Sequence, residues 1–314
     1  MNAQTALEFI LKDEELLLDI LYNIDMIKSN QRSFLNDVIE RYLVSELADE
    51  KGYIKPGIIK EDLWNTIETE LLSIFTPSAL ENTFLSIITE FNRRLVTIDQ
   101  LMIDLELDNA VYGNTLFEIE AIQQRSNDIA SGLVRGAYGE GDYTGSIKRV
   151  QDSILRYKLD TEKPEFVLRS ELMDTLVKDA GAGVNHANSV AITATMTVDR
   201  DLRRGQALKG GVNHGLYSGP FDGVIREFCD GYLGKVELYT FWDTLSNDMP
   251  PGLFDTPVSI YCGGINCRHR IVPWKLEWSD GKTDLRERFA LANRDMNKRL
   301  ILKYGIKAFE LFKN

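Results

Sequence analysis

Over the first 130 residues apolar side chains return every three or four positions, which is the spacing of amphipathic helices and not of strands. LEFILKDEELLLDILYNIDMI (7–27) carries one such stripe and QRSFLNDVIERYLVSELA (31–48) another. Gly52, Pro56 and Gly57 then punctuate the chain. A third helix is predicted from about Lys60 to Ile74, and a fourth from about Ala79 to Leu107, after the break at Thr76-Pro77-Ser78. Pro77 suits a first helical turn, where its missing N–H costs nothing. Helices over about 114–134 and 145–159 follow, joined by RGAYGEGDYTG, whose four glycines cannot continue a helix. Another, at about 165–179, ends at the AGAG of 180–183, and SVAITATMTVDRDLRRGQALKGG holds one more, closed by Gly210-Gly211.

Beyond Gly211 the texture changes. Segments shorten, and aromatics, glycines and prolines become frequent: GLYSGPFDG, IREFCDGYLGK, VELYTFW and VSIYCGGINCRHRIVPW. These predict short strands and tight turns, KLEWSDGKT predicts a hairpin turning at Asp280-Gly281, and a last helix is predicted from about Asp284 to Phe312. The expected class is α+β: a mainly helical N-terminal part, then a small α+β module with short strands and a C-terminal helix. By texture the chain divides into an acidic helical region (1–110), a helical connection (111–210) and the module with its closing helix (211–314).

Charge adds an asymmetry. The net charge is −12, yet residues 1–130 hold 24 acidic against 10 basic side chains, while residues 265–314 hold 12 basic against 6 acidic. An acidic front repels nucleic acid, and a basic tail leaves room for weak contact with it. No apolar run reaches the roughly 18 residues needed to cross a bilayer, so no membrane role is expected. The first residues carry no basic stretch and no small-residue cleavage site, so no signal peptide is expected and synthesis is placed in the cytoplasm.

The candidate chemistry lies in the module. All three cysteines, Cys229, Cys262 and Cys267, fall within 39 residues, with His269 close behind, in the order C-x32-C-x4-C-x-H. An odd count argues against a disulfide framework. Cysteine thiolates and imidazole are zinc ligands, so these four can form a Cys3His set, although the C-x2-C knuckle is absent. The other reading is that Cys229 and Cys267 are small buried hydrophobes and His269 is hydrogen-bonded in a turn. Arg226 or Arg268 can pair with Asp222 and staple the region together. Gly231, Gly263 and Gly264 suit turns at positive φ.

Two elements are spaced about thirty residues apart: Asp222-x3-Arg226-x2-Cys229, with Gly231 just after it, and Cys262-Gly-Gly-Ile-Asn266-Cys267-Arg268-His269-Arg270, followed by Pro273-Trp274. Together they resemble the head morphogenesis family typified by the F-like minor head protein of phage Mu. That family's hallmark is Asp-x3-Arg-x2-His, a nearby glycine, and a distant Asn-Cys-Arg-Cys followed by proline. One subgroup carries Asp-x3-Arg-x2-Cys with Gly-Gly-x-Asn-Cys-Arg-His-Arg, which this sequence matches closely over about 60 residues. Where relatives carry His and then Cys-x-Cys, this chain carries Cys229 and then Cys267-x-His269, so each exchange keeps a zinc-binding side chain.

The resemblance implies a structural, non-enzymatic protein of the virion, in the head or at the head–tail junction. It would be oligomeric and partnered by portal, capsid or neck proteins, acting in capsid assembly or in DNA packaging and retention. The competing reading is a zinc-dependent enzyme, a nuclease or deaminase. A zinc deaminase needs His-x-Glu and Pro-Cys-x2-Cys, and neither occurs; nor does H-E-x2-H, G-x-S-x-G or a Walker loop. A Cys–His nucleophile pair using His214 stays open on sequence alone.

Overall fold

The computed structural model describes residues 3–43, 45–55, 59–73, 89–90, 93–94, 97, 167–221, 225–245, 258–264 and 267–304. It shows an α+β protein. Helix α1 (Ala3–Tyr42) is followed by β1 (Tyr53–Ile54), α2 (Glu61–Leu72), β2 (Val167–Leu168) and α3 (Arg169–Lys209). The module then runs β3 (His214–Ser218), α4 (Glu227–Tyr232), β4 (Val236–Leu238), α5 (Tyr239–Thr244), α6 (Val258–Tyr261), β5 (Arg270–Trp274) and α7 (Arg286–Tyr304). Among the described residues no helix is long and apolar enough to cross a membrane.

Several predicted boundaries change. The stripe over 7–27 and the second stripe as far as Tyr42 belong to one helix of 40 residues, because Lys28-Ser29-Asn30-Gln31 contains no glycine or proline to interrupt the backbone ladder. AGAG does not end a helix: α3 runs through Gly181 and Gly183, since a helical glycine costs about 1 kcal/mol against alanine and does not by itself break the ladder. In the module, IREFCDGYLGK forms α4, where Phe228–Tyr232 and Cys229–Leu233 stand four apart on a helical period. VELYTFW is strand only to Leu238 and then turns into α5. KLEWSDGKT makes a 3-10 turn (Leu276–Ser279), ended by left-handed Asp280 (φ 52) and Gly281 (φ 77), in place of a hairpin. The helices expected over 114–134 and 145–159 lie outside the described residues. Of the one expected over 79–107, only 89–90, 93–94 and 97 are described, and they are helical.

Compactness groups the chain differently from its texture. One unit comprises Met1–Asn23, Ile87–Asn127 and Ile192–Asn314, and the other Ile24–Ser86 and Asp128–Ala191. The second unit is closed by a two-residue antiparallel ribbon, Tyr53 opposite Leu168 and Ile54 opposite Val167. Its core gathers Leu35, Val38, Ile39 and Leu43 of α1, Trp64, Ile67 and Leu71 of α2, and Leu172 and Leu176 of α3. These positions recur at three- and four-residue steps, so the stripes read from the sequence are the surfaces that meet.

In the first unit the sheet order is β4-β3-β5, antiparallel throughout. All five residues of β5 are buried, and Trp242 donates from its indole to the Gly215 carbonyl at 3.1 Å. A buried charge network includes the first residue of β5. Asp13 of α1 and Asp199 of α3 are buried with Arg94, Arg203 and Arg270. Arg94 reaches both carboxylates at 2.7 Å, Arg270 reaches Asp13 at 2.9 Å and Asp199 at 3.2 Å, and Arg203 pairs with Asp13. Although burial opposes ionisation, the three guanidiniums hold the carboxyl pKa values of Asp13 and Asp199 below the ordinary range. Two basic residues of α7 pair with carboxylates of α1 in the same unit: Arg299 with Glu15 at 3.1 Å and Lys303 with Asp19 at 2.7 Å.

Glu14 behaves in the opposite way. Burial pushes its carboxyl up to about 7, despite Arg270 and a 2.9 Å hydrogen bond from Ser218. Because its folded pKa is raised, its contribution to stability is complete below 4.5 and is lost as pH rises toward about 7. E14Q cannot ionise, so between pH 4.5 and 8 it should gain about 3 kcal/mol on the native protein. Urea unfolding of both proteins across that range measures this difference, and parallel pH profiles would refute it.

Candidate metal centre

Two of the expected ligands enter the site from the turn that leads into β5. Gly264 (φ 88) reverses the chain after α6, and the Cys267 amide donates back to the Gly264 carbonyl at 3.0 Å. Cys267 and His269 follow on the approach to β5, while Cys229 comes from the third position of α4. The three are buried, at 1% exposure for Cys229 and 3% for Cys267 and His269. Cys229 Sγ lies 3.6 Å from Cys267 Sγ, and Cys267 Sγ lies 3.8 Å from His269 Nδ1. All three ligand atoms fall within 4.8 Å of one another, so the group can hold a metal ion.

The donor set suits zinc. Zinc–sulfur distances of about 2.3 Å and zinc–nitrogen distances of about 2.0–2.1 Å at a tetrahedral angle imply sulfurs about 3.8 Å apart and sulfur to nitrogen about 3.6 Å. The observed separations fall within a few tenths of an ångström of both. Neither ring nitrogen of His269 is hydrogen-bonded to a carbonyl or carboxylate among the described residues, and Nε2 is buried with no partner.

The electrostatics divide the thiols. Burial raises the Cys267 thiol, but hydrogen bonds with Cys229 and His269 and the charge of Arg200 outweigh it and hold Cys267 well below the ordinary thiol value. The hydrogen bond to Cys267 and burial push the Cys229 thiol strongly up. Gly263 N–H donates to Cys267 Sγ at 3.1 Å. Burial pushes Cys262 up to about 12 against the opposing charge of Arg200.

The other expected residues fall into place unevenly. Cys262, expected as the fourth ligand, is buried at the end of α6 with φ 45 and stands outside the set of three. The turn that returns the chain to Cys267 begins there. Arg226 joins the two sequence elements by donating to the Gly263 carbonyl. Asp222 and Asn266 lie outside the described residues, so their pairings do too. Arg268 is buried and its charge acts on Glu14. Gly264 takes the positive φ expected of it, but Gly231 sits within α4 in open space. Gly263 is needed for closeness: a Cβ there would stand 2.4 Å from Cys229 Sγ. His214 opens β3 and is not part of the cluster.

Three neighbours escaped the sequence reading. Tyr217 of β3 donates to Cys229 Sγ at 3.3 Å, and its ring stacks on His269. Gly219 (φ 155) lets the chain pass His269, whose ring would lie 2.4 Å from an added Cβ. Arg200 of α3 donates to the carbonyls of His269 and Cys267. A signal for the buried charges of α3 did exist: Ile192, Met196, Asp199, Arg203 and Gln206 follow one three-to-four-residue stripe, placing charges where periodicity demands burial.

Comparison with family models, with curated proteins and with solved structures gives no match for this chain.

The two glycines make a paired test. G263A would force apart the sulfurs it touches, costing about 1–3 kcal/mol as overpacking does. G231A meets open space in a helix and should stabilise by about 0.5–1 kcal/mol. Melting temperatures of the two variants should therefore move in opposite directions; a tolerated G263A would mean the cluster is looser than these distances imply.

Proposed function

We propose that the chain is a structural minor head protein of a tailed bacteriophage, made in the host cytoplasm and built into the virion head or head–tail junction. There it contacts portal, capsid or neck proteins in several copies and serves capsid assembly or DNA packaging and retention. One observation carries the reading: the two sequence elements that resemble the phage Mu F-like family supply one buried cluster, in which Cys229 and Cys267, 38 residues apart in sequence, have their sulfurs 3.6 Å apart. Such convergence is what a family-defining structural motif requires, and incidental matches have no reason to show it.

Within this reading Cys229, Cys267 and His269 supply three of the four ligands of a structural zinc ion, which would tie α4 to the strand that closes the sheet. Burial favours the structural role over the zinc-dependent enzyme. A catalytic zinc keeps an open position that substrate can reach, whereas these ligands are at most 3% exposed. Among the described residues, Tyr217, Arg200 and the Gly263 amide donate hydrogen bonds to the ligands or their carbonyls, and none of them is a carboxylate that could shuttle protons. Weak contact with packaged DNA fits less well than the basic tail suggests, because Arg286, Lys298, Arg299 and Lys303 already pair with carboxylates of this chain.

Two measurements test the reading. Coexpressed with the portal and major capsid proteins of the phage that encodes it, the chain should cosediment with assembled heads on a gradient. A chain that stays monomeric at the top of the gradient and binds no head component overturns the assignment. Elemental analysis should give one zinc per chain, and chelation should lower the melting temperature, as should C267A together with loss of the zinc. A metal-free protein indifferent to chelator would leave the cysteines as ordinary core residues.

A further inference from the structure

We infer that Arg200 and Tyr217 are positioning residues of this metal centre, Arg200 by fixing the backbone that carries two ligands and Tyr217 by fixing the third. The inference rests on the zinc reading of the cluster. Arg200 is fully buried in α3, and its planar guanidinium donates from Nε to the His269 carbonyl at 2.8 Å and from Nη2 to the Cys267 carbonyl at 2.6 Å. One side chain therefore clamps both ends of the Cys267-Arg268-His269 tripeptide, which is neither helix nor strand and has no ladder of its own to fix its shape. Lysine cannot reproduce the fork, because its ammonium is a single point on a flexible stem.

Tyr217 reaches the other half of the site. Its hydroxyl donates to Cys229 Sγ at 3.3 Å, and its ring lies against His269 with centroids 5.7 Å apart and planes inclined by 23°. It thus touches a ligand from each sequence element. Together the two residues hold all three ligands in place before an ion arrives, which removes the ordering cost that a site assembled from distant segments otherwise meets. Partners of this kind orient ligands in metal sites, and their removal typically weakens affinity by about 10–100-fold.

The test is zinc affinity of the full chain, measured by competition with a chromophoric chelator for the native protein, R200M, R200K and Y217F. Zinc content at saturation and the melting temperature of the metal-free form are measured alongside. R200M and Y217F should each bind about 10–100-fold more weakly while still taking one zinc at saturation. R200K keeps the charge but loses the clamp, and should stay weakened; native affinity in R200K would overturn the clamp. Y217F keeps the ring against His269 and removes one hydroxyl, so it and R200K keep the test open should R200M fail to fold. Lower melting temperatures with unchanged zinc affinity would mark both residues as ordinary packing and overturn the inference, while the zinc site itself would stand. A native protein that binds no zinc would instead remove the site on which the inference rests.

Discussion

The first unit depends on a rule about charge: a buried ion is tolerable only when its partners are buried with it and correctly placed. Asp13 and Asp199 satisfy that rule by sharing Arg94, Arg203 and Arg270. The five side chains come from α1, from the segment holding Arg94, from α3 and from β5. Misplacing any one of these segments would strand an uncompensated charge in the interior, at a cost of about 3–5 kcal/mol. Apolar packing of the same volume would contribute as much stability or more, but it would tolerate sliding. The network makes one arrangement of four distant segments far better than its neighbours.

The same constraint explains why one short motif serves two structures. In CGGINCRHR, Cys267 and His269 turn toward Cys229, while Arg270, the next residue, joins Asp13 and Asp199. Arg200 stands beside Asp199 in sequence and grips the carbonyls of the ligand-bearing tripeptide. Neighbouring residues on α3 and on the approach to β5 are thus divided between the thiol cluster and the ion network. The ligands are anchored through the backbone to a helix whose own position the buried charges specify.

The uneven charge of the chain also has an internal cause. The acidic residues near the start of α1 face the basic residues of α7, with Glu15 taking Arg299 and Asp19 taking both Lys303 and the Tyr304 hydroxyl. Tyr22 stacks on Tyr304 at 4.0 Å, continuing the same contact. Part of what looks like an acidic front and a basic tail is therefore the two sides of one intramolecular surface, each half of which appears surplus only when the chain is laid out as a line.

Local periodicity determined the helical character of the chain, the stripe that becomes the core of the second unit, and the place where the three-stranded sheet begins, but not the short ribbon of Tyr53–Ile54 and Val167–Leu168. That Cys229, Cys267 and His269 come together was legible too, though the sequence counted Cys262 with them and the structure leaves it outside the set. Tertiary structure decided the rest. Whether AGAG ends a helix, or FCDGY is strand or helix, depends on packing terms larger than the propensities of those residues. That Asp199, Arg203 and Arg270 are buried depends on one another's presence, since each charge can leave water only if residues elsewhere in the chain, as far off as Asp13 is from Arg270, supply its counterion. A sequence shows which groups could pair; only the folded chain brings them within reach, and for buried charges that proximity is what makes the fold possible.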